Sequence, residues 1–343
     1  MKKYLNNIIQ LVISLSLGVG IIVWMNSTLD AEQKSNIISA IKSANYFWMI
    51  VMILFGLLSN IFRTQRWRLL LKPSGYYPNF YNTFAAVTIM FFGNLFFPRL
   101  GEVVRCSILT KYDKVPIEKS IGSMVLERVI DLISILIIGG ILFLVEQERL
   151  LTFFTGLFKK TESIEQESSN LKYYIFVGIL VLAIVGFIYL YKKHGLEKIT
   201  TFVKEKLKSL WESLISIRKL DNIGQFLICS IGVWVCYISM SYFGFKALTA
   251  TENLGWSAAA ATVFFGGFAM VATQGGIGLY QITIQKVLLT YGVIGTMGYA
   301  FGWLAWSVQT FFVIIGGIIS LIFLALYNRT PKYIEQNHNN TTP

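Results

Sequence analysis

The sequence predicts an all-α integral membrane protein with about six spanning helices and two re-entrant hairpins, arranged as an inverted repeat. Three observations predict it. The 343 residues are 55% apolar and only 14% charged, whereas a soluble chain carries about 25% charged residues. Several apolar runs reach the roughly 20 residues that a spanning helix needs. The net charge of +12 gathers in short segments between those runs, as in cytoplasmic loops. Such loops face anionic lipid, so the basic balance does not point to nucleic acid.

The candidate spans are 5–25, 46–62, 120–145, 172–191, 226–248 and 297–326. The run to Met25 is long and lacks a clean small-x-small cleavage site, so it reads as a retained first helix rather than a signal peptide. Lys2 and Lys3 place the N-terminus inside. Segment 26–45 is charge-balanced and suits the outside. Segment 63–79, with Arg63, Arg66, Arg68 and Lys72, suits the inside. Segment 146–171 is acidic and reads as outside; the Lys-rich 192–225 reads as inside. Arg329 and Lys332 place the C-terminus inside as well. These assignments give one polytopic membrane domain, 1–326, with halves 1–145 and 172–326, and a polar C-terminal tail, 327–343. Within 192–225, Leu196, Ile199, Val203, Leu207, Leu210, Leu214 and Ile217 recur at helical spacing. That marks a cytoplasmic amphipathic segment.

Two apolar pieces remain, 80–98 and 256–294. Basic segments flank 80–98 on both sides. If both stay inside, the piece between them enters the membrane and returns. A re-entrant hairpin also fits 256–294, although three separate crossings satisfy the same parity. The two pieces then occupy corresponding places in two halves of opposite orientation. Interrupted apolar segments in that arrangement mark a transporter's substrate site.

Charged residues inside these runs carry the chemistry. Glu127, Arg128 and Asp131 lie in an otherwise apolar span, and Glu127 and Asp131 share a helix face. An ion at the bilayer centre costs about 2.5–3.5 kcal/mol on insertion scales, so these residues face the interior. They line a charged cavity for a polar headgroup, or they clamp two helices as a structural ion pair. Pro98 suits the first turn of a helix, and Arg99, Glu102 and Arg105 follow at spacing three. Two guanidiniums flanking a carboxylate suit a phosphodiester; an interfacial basic helix gives the same pattern. Arg66 reads as a headgroup contact or as a positive-inside anchor at a helix end. Gly275, Gly276 and Gly278 supply backbone donors or close helix approach but form no P-loop, because no Lys-Ser/Thr follows. Lys286 reads as a substrate contact or as a snorkelling anchor.

Enzyme signatures are scarce. Cys106, Cys229 and Cys236 show no CxxC pairing, and His194 and His338 stand in separate polar segments. The sequence therefore points to no disulfide, metal site or cofactor. It holds no HExxH or Walker motif, so transport would be passive or ion-coupled.

Four motifs together resemble the flippase-like family, which includes the membrane domain of lysylphosphatidylglycerol synthases. They are Arg66-Trp67-Arg68-Leu69-Leu70, Phe97-Pro98-Arg99-Leu100-Gly101-Glu102-Val103-Val104-Arg105, Leu126-Glu127-Arg128-Val129-Ile130-Asp131-Leu132 and Gly275-Gly276-Ile277-Gly278. The resemblance covers about 5–326. It implies translocation of anionic, modified or polyprenyl-linked lipids between leaflets of the cell inner (cytoplasmic) membrane. In the family pattern a Pro precedes the Gly-rich motif and an acid ends it. Here Thr273-Gln274 and the neutral Gln281 stand in those places, which speaks against cation or proton handling there. The synthase domain of bifunctional members is not expected after the polar tail. Arg99, Arg105 and Arg128 are then expected to hold a phosphate, balanced by Glu102, Glu127 and Asp131. Expected partners are membrane lipids and a separate lipid-modifying enzyme. The alternatives are a membrane-embedded transferase using a lipid-linked donor and a lipid-presenting partner subunit.

Overall fold

The computed structural model describes residues 23, 27, 30–97, 99–149, 220 and 222–328. The expected spans 5–25 and 172–191, most of the amphipathic segment 192–225 and nearly all of the tail lie outside the described residues. Every element among the described residues is helical: α1 Ala31–Lys42, α2 Tyr46–Leu71, α3 Phe80–Phe96, α4 Leu100–Asp113, α5 Ile117–Val145, α6 Ile223–Phe245, α7 Trp256–Ala272, α8 Leu279–Thr290 and α9 Gly295–Tyr327. Short 3₁₀ turns occupy Lys72–Ser74 and Gln274–Gly276. Four helices, α2 (with its following turn), α5, α6 and α9, are long and apolar enough to cross a membrane, and α3 and α7 are shorter apolar helices. The chain is an all-α, multi-pass integral membrane protein.

Local chemistry sets the helix starts. Asp30 and Gln33 form a reciprocal capping box on α1, with Gln33 N donating to Asp30 Oδ1 at 2.7 Å. Asn45, Asn79 and Asn222 cap α2, α3 and α6 through their side-chain oxygens, each satisfying a free first-turn N–H. One boundary departs from the sequence reading. The second span was expected to end at 62, with Arg63 and Arg66 in a basic loop, but α2 continues to Leu71. Arg63 and Arg66 are buried helical residues because carboxylates on α5 neutralise them inside the bundle.

Of the two apolar pieces left over by the sequence, 256–294 is a broken helix pair, α7 and α8, whereas 80–98 does not turn back on itself: it is the single helix α3, and its partner is α4, in the basic segment that follows. The breaks of the two pairs share a geometry. Phe97 ends α3 in extended backbone (φ −138°), and Thr273 ends α7 likewise (φ −123°). Two residues later, Arg99 and Gly275 both take left-handed backbone, with φ of 63° and 61°. Glycine tolerates that region and arginine rarely adopts it. The first pair closes tightly. A Cβ on Gly101 would lie 1.9 Å from the Met90 carbonyl oxygen, so only glycine lets α4 lie against α3. Asn94 Oδ1 ties the same spot by accepting from Gly101 N at 2.9 Å.

The 33-residue α9 seats both pairs. A Cβ on Gly302 would come within 2.9 Å of the Gln281 Cα on α8, and one on Gly317 would meet the ring of Phe92 on α3. Small residues at such crossings let membrane helices pack by van der Waals contact. Beside this, α2 packs along α6, and Phe55, Phe243 and Trp48 stack between them.

Gly101→Ala should force α3 and α4 apart and destabilise the protein by about 1–3 kcal/mol. Gly140, whose Cβ would meet nothing within 4 Å, is the control, and Gly140→Ala should leave stability within about 0.5 kcal/mol. Thermal unfolding of both variants in detergent checks this.

Candidate functional site

The deepest polar feature is a knot of charge joining α2, α4 and α5. Glu127 is wholly buried. Its Oε1 accepts from Arg63 Nη1 at 2.6 Å and from Arg66 Nη2 at 3.1 Å. Its Oε2 lies 2.9 Å from Arg105 Nη2 as an ion contact. One turn on, Asp131 accepts from Arg63 Nη1 at 3.0 Å and from Arg66 Nη2 at 2.7 Å. Arg105 stacks on Trp67, with its Cζ 4.4 Å from the ring centroid. The Trp67 indole N–H donates to Ser123 Oγ at 2.9 Å. At 1.5 Å per residue, Glu127 lies about 15 Å from the start of α5, and Arg63 about 12 Å from the end of α2. The pairs therefore meet at similar depth inside the two long helices.

The charges do not balance. Arg63, Arg66, Arg105 and Arg128 face Glu127 and Asp131, four guanidiniums against two carboxylates. Arg128 is the loose member: its side chain is 43% exposed and lies 3.9 Å from Glu127 and 3.7 Å from Asp131. Several buried donors have no partner, namely Arg63 Nε, Arg66 Nε and Nη1, and Arg105 Nε and Nη1. Buried polar groups are nearly always hydrogen-bonded, and spare guanidinium donors with surplus positive charge have the chemistry that an anion complements.

A cavity of about 200 Å³ adjoins the knot. Ile135, one turn beyond Asp131, lies in its wall, together with Trp234, Tyr237 and Ser241 of α6, Tyr280 of α8 and Gln309 of α9. Tyr237 joins the two features, because its OH accepts from Arg63 Nη2 at 3.2 Å. Elsewhere the tips of the two helix pairs touch. Gln274 Nε2 donates to the carbonyls of Asn94 at 2.7 Å and Leu95 at 3.1 Å, and Trp306 Nε1 donates to the Gly275 carbonyl at 2.7 Å.

Of the residues singled out from sequence, the fold gathers Arg66, Arg105, Glu127, Arg128 and Asp131 into the knot. Arg99 is exposed at the start of α4, and Glu102 is half-buried with Oε2 unpartnered; neither has an ion pair among the described residues. Pro98 lies outside the described residues. Gly275, Gly276 and Gly278 form the break between α7 and α8. Gln281 is fully buried, and neither atom of its amide has a partner. Lys286 is exposed. Arg63 stood in the sequence only as part of the basic segment 63–79, although its i, i+3 spacing with Arg66 puts both on one helix face. Tyr237 and Trp234 carry no sequence signal beyond being aromatic.

A family model described as the lysylphosphatidylglycerol synthase TM region matches residues 7–317. The chain belongs to that family. It is thus a multi-pass membrane protein of a family whose name ties it to lipid. A UPF0104 membrane protein of Methanocaldococcus jannaschii is 24% identical over 232 residues, covering 60% of this chain and 66% of that protein. No solved structure matches the chain.

Removing Glu127 should leave three guanidiniums buried around a missing partner. Glu127→Ala should cost about 3–5 kcal/mol. Arg128→Gln, at the open edge, should cost less than about 1 kcal/mol. Denaturant or thermal unfolding in detergent distinguishes the two.

Proposed function

We propose that this protein is a flippase-like transporter that moves anionic, modified or polyprenyl-linked lipids between the leaflets of the cytoplasmic membrane. One observation carries the reading: three buried guanidiniums and a fourth at the open edge face two carboxylates, with buried donors to spare, beside a cavity. A lipid phosphate is the anion that a membrane presents at that depth, and the planar guanidinium fork suits it.

The geometry suggests an order of contact. Arg128 meets the phosphate first, exchanging its two long contacts for short ones. Arg63 lies next, shared between the carboxylates and Tyr237 at the edge of the cavity. Arg66 and Arg105 complete the site from within by turning their spare N–H groups on the phosphate, while Glu127 and Asp131 offset part of the positive charge. The two helix pairs with matching breaks read as re-entrant hairpins of an inverted repeat, with both termini in the cytoplasm. Unwound backbone at membrane depth is tolerated where it lines a cavity, and motion of one repeat against the other is the usual way such folds alternate access. The Gln274 bonds to the Asn94 and Leu95 carbonyls couple the tips during that motion. A separate lipid-modifying enzyme would supply the modified lipid.

In proteoliposomes carrying a fluorescent anionic phospholipid, the wild type should speed leaflet exchange, read by quenching of the outer leaflet. Arg128→Gln should slow it about tenfold, the worth of one charge-assisted hydrogen bond. Wild-type exchange no faster than in protein-free vesicles would refute transport.

A further inference from the structure

The open bases of the two helix pairs are fastened in the same way, at opposite ends of the bundle. The 29 residues of α5, about 43 Å of helix, separate those ends. At one end the second pair is bonded to itself. The OH of Tyr291, which follows α8, lies 3.3 Å from Ser257 Oγ in the first turn of α7. Ser257 also donates to Glu146, the C-cap of α5. Arg149 closes the cluster, with Nη1 3.2 Å from Glu146 Oε2 and Cζ 4.7 Å from the centre of the Tyr291 ring. At the other end Asn82, in the first turn of α3, donates to Asp113 at the end of α4 at 3.0 Å. Asn328, the C-cap of α9, donates to Asn82 Oδ1 at 3.0 Å. Each pair is thus tied down by the C-cap of the last helix of the other half.

The α5 contact stands over the cavity. From the cavity wall toward the end of α5, that helix meets α7 along a seam of small and apolar residues. A Cβ on Gly267 would lie 3.3 Å from Ile135, and one on Gly139 would meet the Phe264 ring. Leu142 and Ala261 are buried together further along. At the rim the seam turns polar, where Ser257 meets Glu146. Within a bilayer, apolar helix faces hold each other by van der Waals contact without a hydrophobic drive. A charge-assisted bond at the rim therefore carries a large share of the closure. We propose that the Glu146–Ser257 contact is the latch of a gate: its release lets α5 and α7 part and opens the cavity to the face where α5 ends, while the Asn328–Asn82 contact holds the opposite gate shut. With both latches fastened, the structure is the occluded state. This rests on the transport reading, because a pair of opposed gates serves a protein that alternates access.

The test reads the face from which the cavity is reached. The full chain, in membrane vesicles of both orientations, carries one added cysteine in the cavity wall, Gln309→Cys, and is treated with a membrane-impermeant maleimide. Glu252→Cys and Lys114→Cys, exposed at the two ends, mark the faces in separate chains. Cys106, Cys229 and Cys236 are buried, and the parent chain gives the blank. Glu146→Ala should raise the labelling rate of the cavity cysteine about tenfold from the Glu252 face, as expected for the loss of one charge-assisted hydrogen bond from the closed state, and leave it unchanged from the Lys114 face. Ser257→Ala removes only the hydroxyl and should act in the same direction, so the test stands if Glu146→Ala does not fold. Asn328→Ala should act from the Lys114 face alone. Labelling that the Glu146 and Ser257 variants leave unchanged, or raise from both faces alike as a loosened fold would, overturns the latch. Sided opening in a protein whose wild type exchanges no lipid upholds the latch and overturns the transport reading instead.

Discussion

The Glu127 carboxylate is the constraint on which the rest of this structure depends. It receives two guanidiniums from α2 and one from α4, and so ties the first broken helix pair to two long helices at one point. Burying an ion alone costs several kcal/mol, which mutual attraction offsets only with good geometry. Here each charge has at least one partner, and Trp67 fixes the plane of Arg105 from behind while bonding Ser123 on α5. The knot extends α2 two turns past the point where its apolar run ends. Without those carboxylates, Arg63 and Arg66 would have to leave the bundle.

The proposed phosphate site differs from a structural clamp in two respects. A clamp needs balanced charge and satisfied donors, and this one has neither. Its surplus lies toward Arg128 at the open edge and toward Tyr237 at the cavity. The break between α3 and α4 puts Arg105 where it can reach Glu127, and the tight approach at Gly101 holds it there. The second pair lies against the first through Gln274, whose amide takes up the carbonyls that the end of α3 leaves free. Both pairs rest on glycine seats of the same α9 helix, so a shift of one pair is felt by the other.

Much of the fold was legible in the sequence because hydrocarbon thickness and loop charge are composition-level constraints. The long helices α5, α6 and α9 start and stop within about three residues of their apolar runs. The second broken pair was legible as an apolar run interrupted by Gly275-Gly276; the first showed only as an apolar run ending at Pro98-Arg99, because α4 carries the charges of a basic flanking segment. The site was only half legible. Glu127, Arg128 and Asp131 stood out as charges in an apolar run, and Arg105 as a charge at a break. Arg63 and Arg66 looked like anchors because they follow an apolar run; only the third dimension shows α5 carboxylates beside them. Trp234, Tyr237 and Ser241 belong to a run whose aromatic and small residues look like ordinary packing. What marks Trp234 and Ser241 is an unsatisfied hydrogen bond, and what marks Tyr237 is the one it accepts from Arg63; these are properties of neighbours rather than of letters.

The central claim is that the spare donors of the buried guanidiniums hold a lipid phosphate. The most direct measurement is the phospholipid phosphorus retained per chain after exhaustive detergent washing, in wild type and in Arg105→Lys. Lysine keeps the charge and the ion pair with Glu127 but loses the planar fork and its spare N–H groups. The account predicts about one retained phospholipid per wild-type chain, the occupancy of a single fork-matched anion site, and its loss in the lysine variant. Equal retention in the two proteins, or none in the wild type, would contradict it.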